Sequence, residues 1–171
     1  MYDLGREQRL DKYDLAHATV REILTEMKDI SEIMVDLAYA SIMFDSEEIA
    51  EEVKNLEEDM EELSKNIRIK AMLSARTHKD ATKLSSLLEV AAASRRISNA
   101  AGDIVKLMEC EVDKRPFLTF ILREAEEKIK RLVLADSSDM VGRQIGELGV
   151  ESETGMRIIA IKRGKRWIYD P

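Results

Sequence analysis

From Val20 the apolar positions recur as Val20, Ile23, Met27, Ile30, Met34, Leu37 and Phe44, with Ser41 falling in the same phase. That alternation of three and four residues marks a long amphipathic helix with a coiled-coil-like seam. A helix from Ala16 to Phe44 would be roughly 40 Å long at 1.5 Å per residue. Asp45-Ser46-Glu47-Glu48 reads as a stop and restart, with Asp45 or Ser46 as N-cap and acids where the helix dipole favours them. A second helix then carries Ile49, Val53, Leu56, Met60, Leu63 and Ile67 on one stripe. The two helices should form an antiparallel hairpin.

After a break around Thr77-His78-Lys79-Asp80, apolar and small residues crowd the segment from Leu84 to Met108. Between Leu84 and Ser94 the only charge is Glu89, and Ala91 to Ser94 are all small. This segment is expected to be the most buried helix. Asp113-Lys114-Arg115-Pro116 looks like a cap region with proline in the first turn, opening a fourth helix through Phe117, Phe120, Ile121 and Ala125 to about Lys130.

At Arg131 the texture changes. Leu132-Val133-Leu134-Ala135 is a short apolar run, and Asp136-Ser137-Ser138-Asp139 can cap a brief helix over Met140 to Gly146. Gly155 to Arg163 is β-branched and partly alternating, and reads as a strand. Arg163-Gly164-Lys165 signals a tight turn, with Arg166 to Tyr169 returning as the second arm of a hairpin. The expected fold class is mainly α with a small α+β appendage: a long antiparallel helical bundle over residues 1–130 and a second module over 131–171. A two-strand hairpin is marginal alone and needs cover.

Composition agrees with the helical reading, since seven Gly and two Pro in 171 residues leave little room for a turn-rich β-sandwich. The net charge of −7 is concentrated. Residues 47–65 hold nine acids against Lys54 and Lys65, and the rest of the chain balances, so the charge is expected on the solvated outer face of one helix. The tail runs the other way, with Arg157, Lys162, Arg163, Lys165 and Arg166 opposed by Asp170 alone. An overall pI near 5.1 lacks the basic footprint of nucleic-acid binding, and none is expected. No apolar run reaches bilayer length and no signal-peptide core is present, which predicts a cytoplasmic protein. The single Cys110 makes no internal disulfide, and reads as a buried small hydrophobe. His17 and His78 are isolated, no nucleophile motif appears, and Gly142 to Gly146 lacks the third glycine and the βαβ frame of a dinucleotide site. No enzyme activity and no NAD binding are expected.

Two stretches resemble known families. DSEEIAEEVKNLEEDMEELSKNI followed by KLSSLLEVAAASRRISNAAGDIVKL is similar to one three-helix repeat of the phosphate-uptake regulator PhoU. The tail RLVLADSSDMVGRQIGELGVESETGMRIIAIKRGKRWIYDP resembles the first part of the TrkA-C (RCK-C) ligand-binding module of potassium-transport regulators. That module usually continues with further strands, so either the sequence is truncated here or the module is incomplete.

The PhoU resemblance implies surface carboxylate pairs that hold a divalent metal. On the second helix the pair corresponds to Glu57 and Glu61, while the third-helix positions correspond to Arg95 and Asn99. A cation offered two carboxylates and an arginine gains less than one offered four carboxylates. The TrkA-C resemblance implies a small anionic ligand, a cyclic dinucleotide in some members, held between two copies. Ile158, Ile159 and Ile161 would wall it and Arg163 would pair its charge. Together the resemblances imply a homodimeric, non-catalytic regulatory subunit that senses a ligand and acts on a membrane cation transporter or channel, for potassium. The alternative is a PhoU-like metal-binding regulator of phosphate or metal homeostasis.

Overall fold

The computed structural model describes residues 17–109, 120 and 128–171. The chain divides into two compact units, Met1–Ala125 and Glu126–Pro171.

In the first unit three long helices pack on one another: α1 (Val20–Met43), α2 (Glu47–Ser74) and α3 (His78–Lys106), which ends in a single 3₁₀ turn, Leu107–Glu109. Each start is capped. The Thr19 hydroxyl accepts from the Glu22 backbone N–H while Glu22 Oε2 accepts from the Thr19 N–H at 2.7 Å, a reciprocal box that satisfies two otherwise orphaned donors. Thr77 and Asp80 build the same box for α3. Between α1 and α2, Asp45 takes φ +46, a left-handed conformation that Asp tolerates, and Ser46 is the N-cap of α2. The chain reverses there in three residues.

The seams of α1 and α2 are the core. Ile23, Met27, Ile30, Met34, Leu37 and Ser41 are buried on α1, and Ile49, Val53, Leu56, Met60, Leu63 and Ile67 on α2. The buried hydroxyls of Ser41 and Ser98 donate back to the carbonyls of Ala38 and Ser94, so neither is stranded.

The third helix departs from expectation. It is the least buried of the three: its inward stripe is Ala91, Ser94, Ser98, Ala101, Gly102 and Val105, while Val90 and Ile97 lie 51% and 46% exposed. Small residues turn inward because α1 and α2 already fill the interior with large side chains, and a close-packed core rejects further volume. A second correction concerns the acidic segment. Glu52 and Asp59, two of its nine acids, are buried rather than solvated, and Glu52 accepts from Asn55 Nδ2 at 3.0 Å.

The expected fourth helix and Cys110 fall largely outside the described residues; Phe120 is helical and exposed, and residues 128–130 are not helical.

The second unit holds two short helices, α4 (Ile145–Leu148) and α5 (Val150–Thr154), and the strands β1 (Ala160–Arg163) and β2 (Arg166–Tyr169). The brief helix expected over Met140 to Gly146 is displaced. Turns occupy 136–142 instead, Gly142 takes φ +78, and helical structure begins only at Ile145. The strand expected over Gly155–Arg163 is shorter: pairing starts at Ala160 opposite Tyr169, and the next residue of the second arm, Asp170, leaves the extended conformation at φ +41. Leu132 and Val133 are 84% and 93% exposed, so the apolar run finds no cover within the described residues.

Candidate functional site

The expected metal positions come together on the α2/α3 face. The antiparallel packing of these helices sets Arg95 opposite Glu61, with Nη2 to Oε1 at 3.2 Å. One turn along, the Glu57 carboxylate lies over Gly102, and a Cβ built at Gly102 would stand 2.9 Å from Oε2. Further along, Lys54 pairs with Glu109 at 3.7 Å, and Lys106 Nζ donates to Asp103 Oδ1 at 2.7 Å. The bond to Asp103 holds the Lys106 ammonium above the usual lysine range, with Glu57 and Glu109 adding weaker attraction. The face therefore carries its own cations: a guanidinium stands beside Glu61 where a bare ion would need further oxygen ligands. Among the described residues no group of three or more His, Cys, Asp or Glu side chains is placed to hold a metal ion. Asn99 is exposed on the same helix.

The expected anion site lies on the hairpin. β1 and β2 pair antiparallel, with Ile161 opposite Ile168, Lys162 opposite Trp167 and Arg163 opposite Arg166. Gly164, at φ +62, opens a two-residue loop that most side chains would strain to enter. The alternation of a strand puts Ile161, Ile168, Arg163 and Arg166 on one face, and Lys162, Trp167 and Tyr169 on the other. Arg163 and Arg166 are thus cross-strand partners next to the loop, one pair along from the half-buried Ile161 and Ile168. Like charges so placed oppose pairing, and an anion between them relieves the repulsion.

On the reverse face Lys162 Nζ lies 5.9 Å from the Trp167 ring centroid, within cation–π range. At the base, Asp170 N–H donates to the Ile159 carbonyl at 3.0 Å, and Arg157 Nε bonds Asp170 Oδ1 at 3.2 Å. Of the expected residues, the structure brings Ile161 and Arg163 to one face; Ile159 closes the ladder through its carbonyl, and Ile158 precedes it, half-buried. Arg166 joins them as the cross-strand partner of Arg163. The two-residue loop was the signal, because it forces the residues on either side of it into register.

Against known proteins, residues 24–108 match the PhoU domain, a span that takes in nearly all of α1, α2 and α3 and leaves the C-terminal unit outside. No curated protein matches the chain.

Proposed function

From the PhoU-domain match over residues 24–108, we propose that this chain is a non-catalytic regulator of ion uptake. Its three-helix unit is the regulatory body and its C-terminal hairpin a contact for a small anion. The observation that carries the reading is that the match and the three-helix unit coincide almost from end to end. A PhoU domain points to regulation of phosphate homeostasis, and the partner consistent with that role is a membrane transporter reached from outside the bilayer. None of the helices among the described residues is long and apolar enough to cross a membrane.

The finer reading, potassium transport under control of a cyclic dinucleotide, draws support from the tail's resemblance to TrkA-C and from the cross-strand register of Arg163 and Arg166, since arginine is the residue type that pairs best with a phosphodiester. Measuring phosphate and rubidium uptake in cells with and without the gene decides between the two. A change in phosphate uptake alone favours the phosphate role, and a change in rubidium uptake alone favours the potassium role. No change in either would sink the proposal. Calorimetric titration of the purified chain with inorganic phosphate and with a cyclic dinucleotide, repeated on Arg163→Ala, tests the hairpin separately.

A further inference from the structure

The turn between α2 and α3 forms one end of the three-helix unit and gathers cations. Residues 64–83 hold Lys65, Arg68, Lys70, Arg76, Lys79 and Lys83 against a single acid, Asp80. Asp80 is turned onto its own cap at Thr77, and Glu22, which feels the charge of Lys70 from the start of α1, is turned onto Thr19. Arg76, Lys79 and Lys83 are exposed and make no ion pair among the described residues. Among these cations α2 presents an apolar stripe to water: Ile69, Met72 and Leu73 share one side of its last turns, and Met72 and Leu73 are 69% and 79% exposed. Residues 72–79 are all exposed, so the feature is a protruding end and not a groove.

Each half of the feature narrows what it meets. The cations call for an anionic partner, and the apolar side chains gain only where they leave water, which a nucleic-acid backbone does not offer them. A protruding apolar end ringed by cations fits a surface that yields around it, with anionic groups outermost and hydrocarbon beneath. We propose that the α2/α3 turn docks on an anionic lipid surface, with Met72 and Leu73 entering the acyl boundary and Arg76, Lys79 and Lys83 pairing with headgroup phosphates. The acidic run of α2 does not oppose this. Glu62, its member nearest the turn, stands about 16 Å along the helix from Leu73 and Glu47 about 39 Å, against a screening length of about 8 Å at physiological salt. With acids toward one end of the unit and cations at the other, the field of an anionic bilayer turns the α2/α3 end toward it. None of this rests on the PhoU match, the metal positions or the C-terminal hairpin.

Flotation of the full chain with lipid vesicles tests the contact. Phosphatidylcholine vesicles containing about 30 mol% phosphatidylglycerol are expected to carry the protein at low salt, pure phosphatidylcholine vesicles to leave it behind, and about 0.5 M salt to release it. Met72→Ser with Leu73→Ser should weaken partitioning on the order of tenfold, with helical circular dichroism unchanged because both positions face water. Lys79→Glu should weaken it at least about fivefold more than Lys28→Glu, which makes the same change in net charge at an ion-paired lysine further along α1. Equal loss in those two proteins would mark a diffuse charge effect and overturn the proposal. So would a failure to float with anionic vesicles, or flotation indifferent to both Lys79→Glu and the paired serine substitutions. Tighter binding to a DNA duplex, untouched by the serine substitutions, would overturn it in favour of a nucleic-acid face.

Discussion

Gly102 of α3 lies beneath the carboxylate of Glu57 of α2, so close that a Cβ at position 102 would stand 2.9 Å from Oε2 and 3.1 Å from the carboxyl carbon. The obstacle is the end of a flexible side chain, not backbone, and it can swing toward solvent. Two effects then compete in Gly102→Ala. Alanine in a helix interior is favoured over glycine by about 1 kcal/mol, and displacing Glu57 takes part of that back. Gly102→Ala is expected to be neutral or mildly stabilising with Glu57 present, and to gain up to about 1 kcal/mol in a Glu57→Ala background. Urea unfolding of the four proteins in the cycle reads the difference directly.

By the resemblance to PhoU, a carboxylate is expected at the position of Arg95, whose guanidinium instead pairs with Glu61 at 3.2 Å. Replacing it and its neighbour, as Arg95→Glu with Asn99→Asp, surrounds Glu57 and Glu61 with acids. Affinity for manganese, measured by calorimetry, should rise by at least about tenfold over wild type. Equal affinity in both proteins would show that the α2/α3 face does not gather a cation even when its own is removed.

Arg163 and Arg166 oppose each other across the hairpin. Substituting Arg163→Thr removes the repulsion and adds a β-branched residue, which should stabilise the hairpin by about 0.5 kcal/mol in dilute buffer. Added phosphate should raise the melting temperature of the wild type more than that of the variant. The opposite ranking would mean that the arginine pair gathers no anion.

At the start of α1, the Thr19 backbone N–H donates to Glu22, and this bond, with that of the Thr19 side chain, holds the Glu22 carboxyl below its ordinary value of 4.5. Because the folded value is the lower one, the contribution is fully present above 4.5 and fades as pH falls through the depressed value. The stability difference between wild type and Glu22→Gln should therefore be constant near neutrality and move toward Gln in the acid limb. Chemical denaturation from pH 7 down to about pH 3 traces it.

On the inward stripe of α3, Ala101 is fully buried opposite large side chains. Ala101→Leu should overpack the core and cost about 1–3 kcal/mol, whereas Ala92→Leu, at an exposed position of the same helix, should leave stability nearly unchanged. Thermal melts distinguish the two positions.

The candidate sites were legible unevenly. Glu57 and Arg95 could be placed on neighbouring helices from spacing alone, but their heights along the bundle depend on how two helices slide past each other. Only packing decided that Arg95 reaches Glu61 and that Glu57 rests on Gly102. On the hairpin the reverse holds, because a two-residue loop dictates its own register and the facing of Arg163 and Arg166 follows from local geometry.

The amino-acid sequence by itself determined the three long helices, the capped restart at Ser46 and the inward faces of α1 and α2, since in α1 and α2 one apolar stripe dominates; the start of α1 moved from Ala16 to Val20, where the Thr19–Glu22 box sets the boundary. In α3 it left two stripes, one of small residues at Ala91, Ser94, Ser98 and Ala101, and one containing Val90 and Ile97. Hydrophobicity alone favours burying the larger. The tertiary structure chose the smaller, because the interior was already occupied by Met27, Met34, Met60 and their neighbours, and close approach of a third helix demanded small side chains at the contact.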